Sequence, residues 1–199
     1  MVDHRLMARN RISSGGAALA VLLIGGILAG CGGGGSSTAA GTEAASTQLS
    51  GDAQILNTVL ARQEAAADAY SKVISGLSPA LSKRAFYFRR QEEEHIDATI
   101  KALRGLNAPA EPNARPIEPG ELKSDRERLV FLYEVESATI DEELSAISKL
   151  EAPWPRSLLA STVANQAQHL TLLRQALGAG PLASVPVPFE NGTAEPPAE

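Results

Sequence analysis

Two short motifs in this 199-residue chain carry donors that a transition metal would take. Glu92 and His95 stand three apart, and Gln166 and His169 repeat that spacing 74 residues later. On a helix, positions i and i+3 share a face, so each motif sets an oxygen donor beside an imidazole. Oxygen and imidazole donors suit iron or manganese. The chemistry open to such a site is redox: oxidation of ferrous iron, or reduction of dioxygen or peroxide. Apart from His4 the chain has no other histidine. Its single cysteine, Cys31, excludes a disulfide framework and a cysteine-based zinc site. No glycine-rich phosphate loop, nucleophile elbow or Cys–His nucleophile pair is present.

Helices must position these residues. Only 4% of the chain is aromatic, while Ala and Leu are abundant, which favours helices over a β-sandwich. The first helix is expected from Asp52, as N-cap, to Gly76, with an apolar stripe of Leu56, Leu60, Ala67, Tyr70 and Ile74. Ser78 and Pro79 then cap and open a second helix that runs to about Leu103, with Gly105 as C-cap. So short a link makes the first two helices antiparallel neighbours. Residues 106–123 contain Pro109, Pro112, Pro116 and Pro119 and cannot be helical. Extended, about 18 residues reach up to ~60 Å, enough to return the chain along the bundle. Ser124–Glu127 reads as a capping box opening a third helix to about Leu150. A Pro153-Trp154-Pro155 corner leads to a fourth, ended by Gly178.

The second helix has the inward stripe Leu81, Ala85, Phe88, Glu92, His95, Thr99, Ala102; the fourth has Leu159, Thr162, Gln166, His169, Leu173, Ala176. Both apolar stripes are interrupted by one donor pair. Glu64 and Glu92 lie at nearly equal distances from the first turn, so Glu64 is the expected partner. On the third helix Glu136 lies on the inward stripe Leu129, Leu132, Ile140, Ile147, with Glu134 and Glu143 in reserve. Glu93, Glu94 and the Lys83-Arg84 and Arg89-Arg90 pairs read as solvated surface, Tyr70 and Tyr133 as core, and Trp154 as a plug at the bundle end.

Hairpin, long crossover, hairpin is the ferritin-like order of a four-helix bundle, with the long B–C crossover joining the second and third helices. The set Glu64, Glu92-x-x-His95, Glu136 and Gln166-x-x-His169 resembles the di-iron carboxylate proteins of the ferritin-like superfamily, such as rubrerythrin and bacterioferritin. It is similar as well to secreted or lipid-anchored bacterial ferritin-like domain proteins. The resemblance covers about 128 residues. It implies an all-α bundle in which the carboxylates of the second and fourth helices bridge two metals. Those of the first and third would bind terminally, and each His would bind one ion. Gln166 departs from that pattern: its amide is neutral where the family has Glu, which leaves one firm site and a weaker second one. The alternative is a non-enzymatic lipoprotein whose polar core residues satisfy one another without metal.

The ends of the chain read differently. Arg5, Arg9 and Arg11 precede an uncharged stretch, residues 15–30, that closes with Leu28-Ala29-Gly30-Cys31. This reads as a bacterial lipoprotein signal with Cys31 as the acylated residue, placing the protein on the extracytoplasmic face of a membrane. Residues 31–50 read as a Gly/Ser/Ala/Thr tether, 51–178 as the bundle, and 179–199 as a Pro-rich acidic tail. The net charge of −5 argues against nucleic acid as a partner. The expected partners are the membrane and, as a homodimer, a second copy of the chain. Tether and tail would obstruct a storage shell. Labelled fatty acid should appear on the wild-type chain and not on Cys31→Ser. Label on that variant, or a mature N-terminus other than Cys31, contradicts the anchor.

Overall fold

The computed structural model describes residues 40–185, with side chains from residue 51 onward. The expected signal segment 1–30, Cys31, the expected tether as far as residue 39 and the tail from 186 lie outside the described residues. Four helices make the fold: α1 (Ala40–Val73), α2 (Pro79–Gly105), α3 (Asp125–Lys149) and α4 (Pro153–Ala176), with a 3-10 turn at Ile74–Gly76. No strand occurs among the described residues, and no helix there is long and apolar enough to cross a membrane. The all-α four-helix bundle expected from sequence is the fold observed.

α1 begins at Ala40 rather than after Asp52, so residues 40–50 are helical where a tether was expected. The segment holds Glu43, Ala44, Ala45, Gln48 and Leu49, all good helix formers. Extending a helix that already exists needs no new nucleus. Asp52 is therefore not an N-cap of its own helix. It is buried, and its Oδ1 and Oδ2 accept the backbone N–H groups of Glu151 and Ala152, each at 2.9 Å. Ala152 precedes α4 and has no side chain that could cap it. Asp52 thus caps the α3–α4 corner from a distant part of the chain.

The other boundaries lie close to their local signals, except that Gly105 is the last residue of α2 rather than its cap, and Pro153-Trp154-Pro155, expected as a corner, is the first turn of α4. Pro79 opens α2 behind Ser78, whose side chain makes no cap bond. The Ser78 backbone N–H donates instead to the Asp125 carboxylate at 3.1 Å, joining the starts of α2 and α3. The capping box of Ser124 and Glu127 is complete. Past α2, Asn107 takes the left-handed φ of 55° and the chain leaves the helix. The crossover then lies along α1. Asn57 Nδ2 donates to the Pro109 carbonyl and its Oδ1 accepts from Glu111 N–H, while Lys72 Nζ donates to the Ile117 carbonyl and to Glu118. Those anchors are 15 residues apart on α1, a rise of about 22 Å. The link therefore carries the chain from one end of the bundle to the other.

α1 packs against both α2 and α3, and α3 against α4, whereas α2 and α4 touch only sparsely. The core falls into two apolar clusters. One gathers Tyr70, Val73, Phe88, Leu132, Leu170 and Leu173; the other gathers Leu56, Leu60, Leu103, Leu150 and Leu159 near the α3–α4 corner. Trp154, at this end, is 44% exposed and lies over Gly105, where an added β-carbon would meet the ring at 3.5 Å. It covers the bundle end from outside rather than plugging it. Beyond α4 the chain turns back, and Gln175 Nε2 donates to the buried Ser184 Oγ at 3.1 Å.

Replacing Asp52 with Ala strips two partly buried N–H groups of a charged acceptor. We expect a loss of about 2–3 kcal/mol in urea unfolding, with the metal content of the protein unchanged. A loss under about 0.5 kcal/mol, the range of ordinary surface substitutions, contradicts the capping role.

Candidate metal centre

Between the two apolar clusters the inward positions of all four helices turn polar. Gln63, Glu92, Thr99, Glu136, Glu143, Gln166 and His169 are all buried. Each belongs to a helix stripe that is otherwise apolar. On α1, Leu56, Gln63 and Tyr70 follow at intervals of seven; on α3, Glu136 and Glu143 do the same. The heptad interval keeps a residue facing the same seam of a bundle. Donors set in these stripes are carried into the core by the leucines around them.

Glu92, Glu136 and His169 form the tightest group, with one donor atom of each lying within 4.8 Å of the others. His169 Nδ1 lies 2.9 Å from Glu136 Oε1 and 3.5 Å from Glu92 Oε1. Its Nε2 lies 2.6 Å from Gln91 Oε1. With acceptor oxygens at both nitrogens, the ring is an imidazolium. It stacks on Phe88 at 4.2 Å between centroids. Tyr70 Oη donates to Glu136 Oε1 at 2.6 Å. Around Glu143, Gln63 Nε2 donates to Oε1 at 2.8 Å, and Gln63 Oε1 accepts from Thr99 Oγ1 at 2.9 Å.

The protons follow from burial and charge. Burial alone would raise Glu92, yet bonds from His169 and His95, with their charge, hold it at about 2. Burial and the Glu92 charge raise Glu136 despite its bonds from His169 and Tyr70. Burial lifts Glu143 to about 8, helped by the charges of Glu92 and Glu136. Burial would lower His169, but Glu136 and Glu92 raise it to about 9. At neutral pH the layer therefore holds an ionised Glu92, a protonated Glu143 and a charged His169.

Three buried oxygens in this layer have no hydrogen-bond partner, Glu136 Oε2, Glu143 Oε2 and Gln166 Oε1, while Glu92 Oε1 and His95 Nδ1 meet only long ion-pair contacts of 3.5 Å. An unpaired buried polar atom costs about 1–3 kcal/mol. Oxygens and an imidazole nitrogen gathered in one layer are the donor set of a divalent transition metal, and the residues fit one. Gln91 fits as well: an imidazole that donates from Nε2 to a fixed oxygen offers Nδ1 to a metal in one tautomer.

The structure thus brings Glu92, Glu136, Gln166 and His169 together. His95 stands at the edge, 12% exposed, with Nδ1 3.5 Å from Glu92 Oε2. Gln166 Nε2 reaches Glu92 Oε2 at 3.5 Å. Glu64 does not join them. It is half-buried, and the inward position on α1 is Gln63, one residue earlier. Distance from a turn separates neighbours by only about 1.5 Å of rise, whereas they differ by about 100° around the axis. The stripe, not the level, decides. Glu143, held in reserve on the sequence, lies in the layer, while Glu134 is exposed. Gln91 was missed because it stands off the α2 stripe.

Comparison with known proteins agrees with the fold. A solved structure described as ferritin like, diiron-carboxylate proteins from Bacillus anthracis str. Ames is similar in fold. Its TM-score is 0.56 at 19% identity, covering 66% of this chain and 98% of that one. No curated protein matches the chain. The ferritin-like domain family model matches residues 51–179, which hold α1 from Gly51 onward, the other three helices and the polar layer, and the chain belongs to that family.

Proposed function

We propose that the protein binds iron or manganese in the core of its bundle and acts there in redox chemistry, at a membrane surface to which Cys31 tethers it. Glu92, Glu136 and His169 would hold the first ion, with Gln166, Glu143 and His95 as further donors. The unpartnered donors in the layer carry this reading. A bound ion of either metal supplies one-electron steps toward ferrous iron, peroxide or dioxygen. The chain's own part is to orient His169 through Gln91, to hold Glu136 through Tyr70, and to exclude water with the two apolar clusters.

One observation favours a second reading, a metal-free structural lipoprotein. Family sites carry carboxylates on all four helices, whereas here Gln63 and Gln166 are amides and His169 already pairs with Glu136. Metal analysis of the full-length protein decides between them. The first reading expects about one ion per chain, lost in His169→Ala with helix content retained. Gln166→Glu should raise the stoichiometry toward two ions and raise the melting temperature with excess metal. Without metal it should lower that temperature, because a further buried carboxylate must take up a proton. A metal-free wild type that Gln166→Glu does not convert contradicts the proposal.

The pH dependence has a definite sign. His169, raised to about 9, stabilises the metal-free fold fully below its ordinary value near 6.5, and this is lost as pH rises through 9. Glu143, raised to about 8, acts in the same direction: its burial is tolerated while protonated and opposed as pH rises from about 4.5 through 8. Glu92, lowered to about 2, contributes above about 4.5 and is lost only as pH falls toward 2. Metal-free protein should therefore lose stability between pH 6.5 and 9, while metal affinity rises over the same interval as the competing protons leave. Glu143→Gln should flatten the decline. A metal-free stability that climbs from pH 6.5 to 9 contradicts these assignments.

A further inference from the structure

The sparse contact between α2 and α4 leaves a cleft of about 560 Å³ whose inner wall includes Phe88, Gln91 and His169. Its size lies within the range of about 300–1,000 Å³ usual for small-molecule sites. Phe86, Tyr87 and Leu172 line its apolar sides, and the two aromatic rings are 48% and 60% exposed. Lys83, Arg84 and Arg90 stand around it, and no acidic residue among the described ones lines it. In a chain of net charge −5 this is a local reversal of sign. Arg84 Nη1 reaches across to the α4 carbonyl of Leu172 at 3.4 Å. Asn165, also on the wall, has a buried Oδ1 with no hydrogen-bond partner.

Each feature specifies part of an occupant. Three cations with no carboxylate among them select an anion. Exposed rings and a leucine select a flat apolar body. We infer that the α2–α4 cleft is a binding site for a small aromatic anion, seated with its ring against Phe86, Tyr87 and Leu172 and its charge toward Lys83 and Arg90. Gln91, whose Oε1 holds His169 Nε2 at 2.6 Å, joins the cleft wall to the metal layer, and His169 itself belongs to both. Any role of the occupant toward the centre rests on the metal reading above; its binding does not.

The test uses metal-free full-length protein, so that failure of the metal reading leaves it intact. The fluorescent probe 6-hydroxy-2-naphthoate should bind saturably at one site per chain. Loss of the charge, tested with 2-naphthol, or of the cations, tested with the double variant Lys83→Glu and Arg90→Glu, should weaken binding about tenfold. Leu172→Trp should fill the cleft and weaken both ligands, with thermal melting serving as the check on folding. Equal affinities for 2-naphthol and the probe, or binding unmoved by the charge reversal, overturn the inference. So does a dimer in sedimentation whose formation abolishes probe binding, which would make a second copy the occupant.

Discussion

His169 sits between Glu136 and Glu92 in a layer that water does not reach, and the rest of the bundle is arranged around that contact. Two carboxylates this close oppose each other's ionisation, and burial penalises both. Removing one partner from such a group typically costs about 3–5 kcal/mol. Without metal, the imidazolium allows Glu92 to stay ionised while Glu143 keeps its proton. A divalent ion could replace that proton inventory and engage the oxygens that the protein leaves unpaired. The same donors thus support two charge states of one core, which is why the metal-free fold can exist and still be poised to bind.

That layer makes demands on the architecture. Polar atoms can be buried here because apolar clusters above and below hold the four helices in register. The crossover bonded along α1 places α3 antiparallel to its neighbours, so that both hairpins deliver their donors at one level. Asp52 closes the far corner by capping the start of α4 from within α1. The cleft lies where the ring of helices is thinnest, between the two helices that carry the His motifs. Access to the layer is therefore most direct from the face bearing Lys83, Arg84 and Arg90.

Much of this was legible in the residues. The stripes of α2 and α4 are buried largely as their spacing requires, and the capping box, the proline-marked crossover and the Ser78-Pro79 start stand where local chemistry puts them. Level from the turn puts the α1 donor at Glu64, one residue off, because level does not resolve direction around a helix, whereas Gln63 shares the seam of Leu56 and Tyr70. Asp52 gives a strong N-cap signal and serves as a cap, but for another helix, and no local pattern records a contact across about 100 residues. Gln91 stands beside the Glu92 motif with nothing in its own position to mark it, and the cleft it lines arises from helix spacing rather than from a sequence motif.

The central claim is that the buried Glu92, Glu136 and His169 hold a transition metal. Anomalous diffraction from crystals of the protein equilibrated with manganese or ferrous iron tests it most directly. The account predicts a metal-specific peak inside the bundle, bonded to at least one oxygen of each carboxylate and to the His169 ring. Metal found only at surface carboxylates, with His169 still bonded to Glu136, would contradict it.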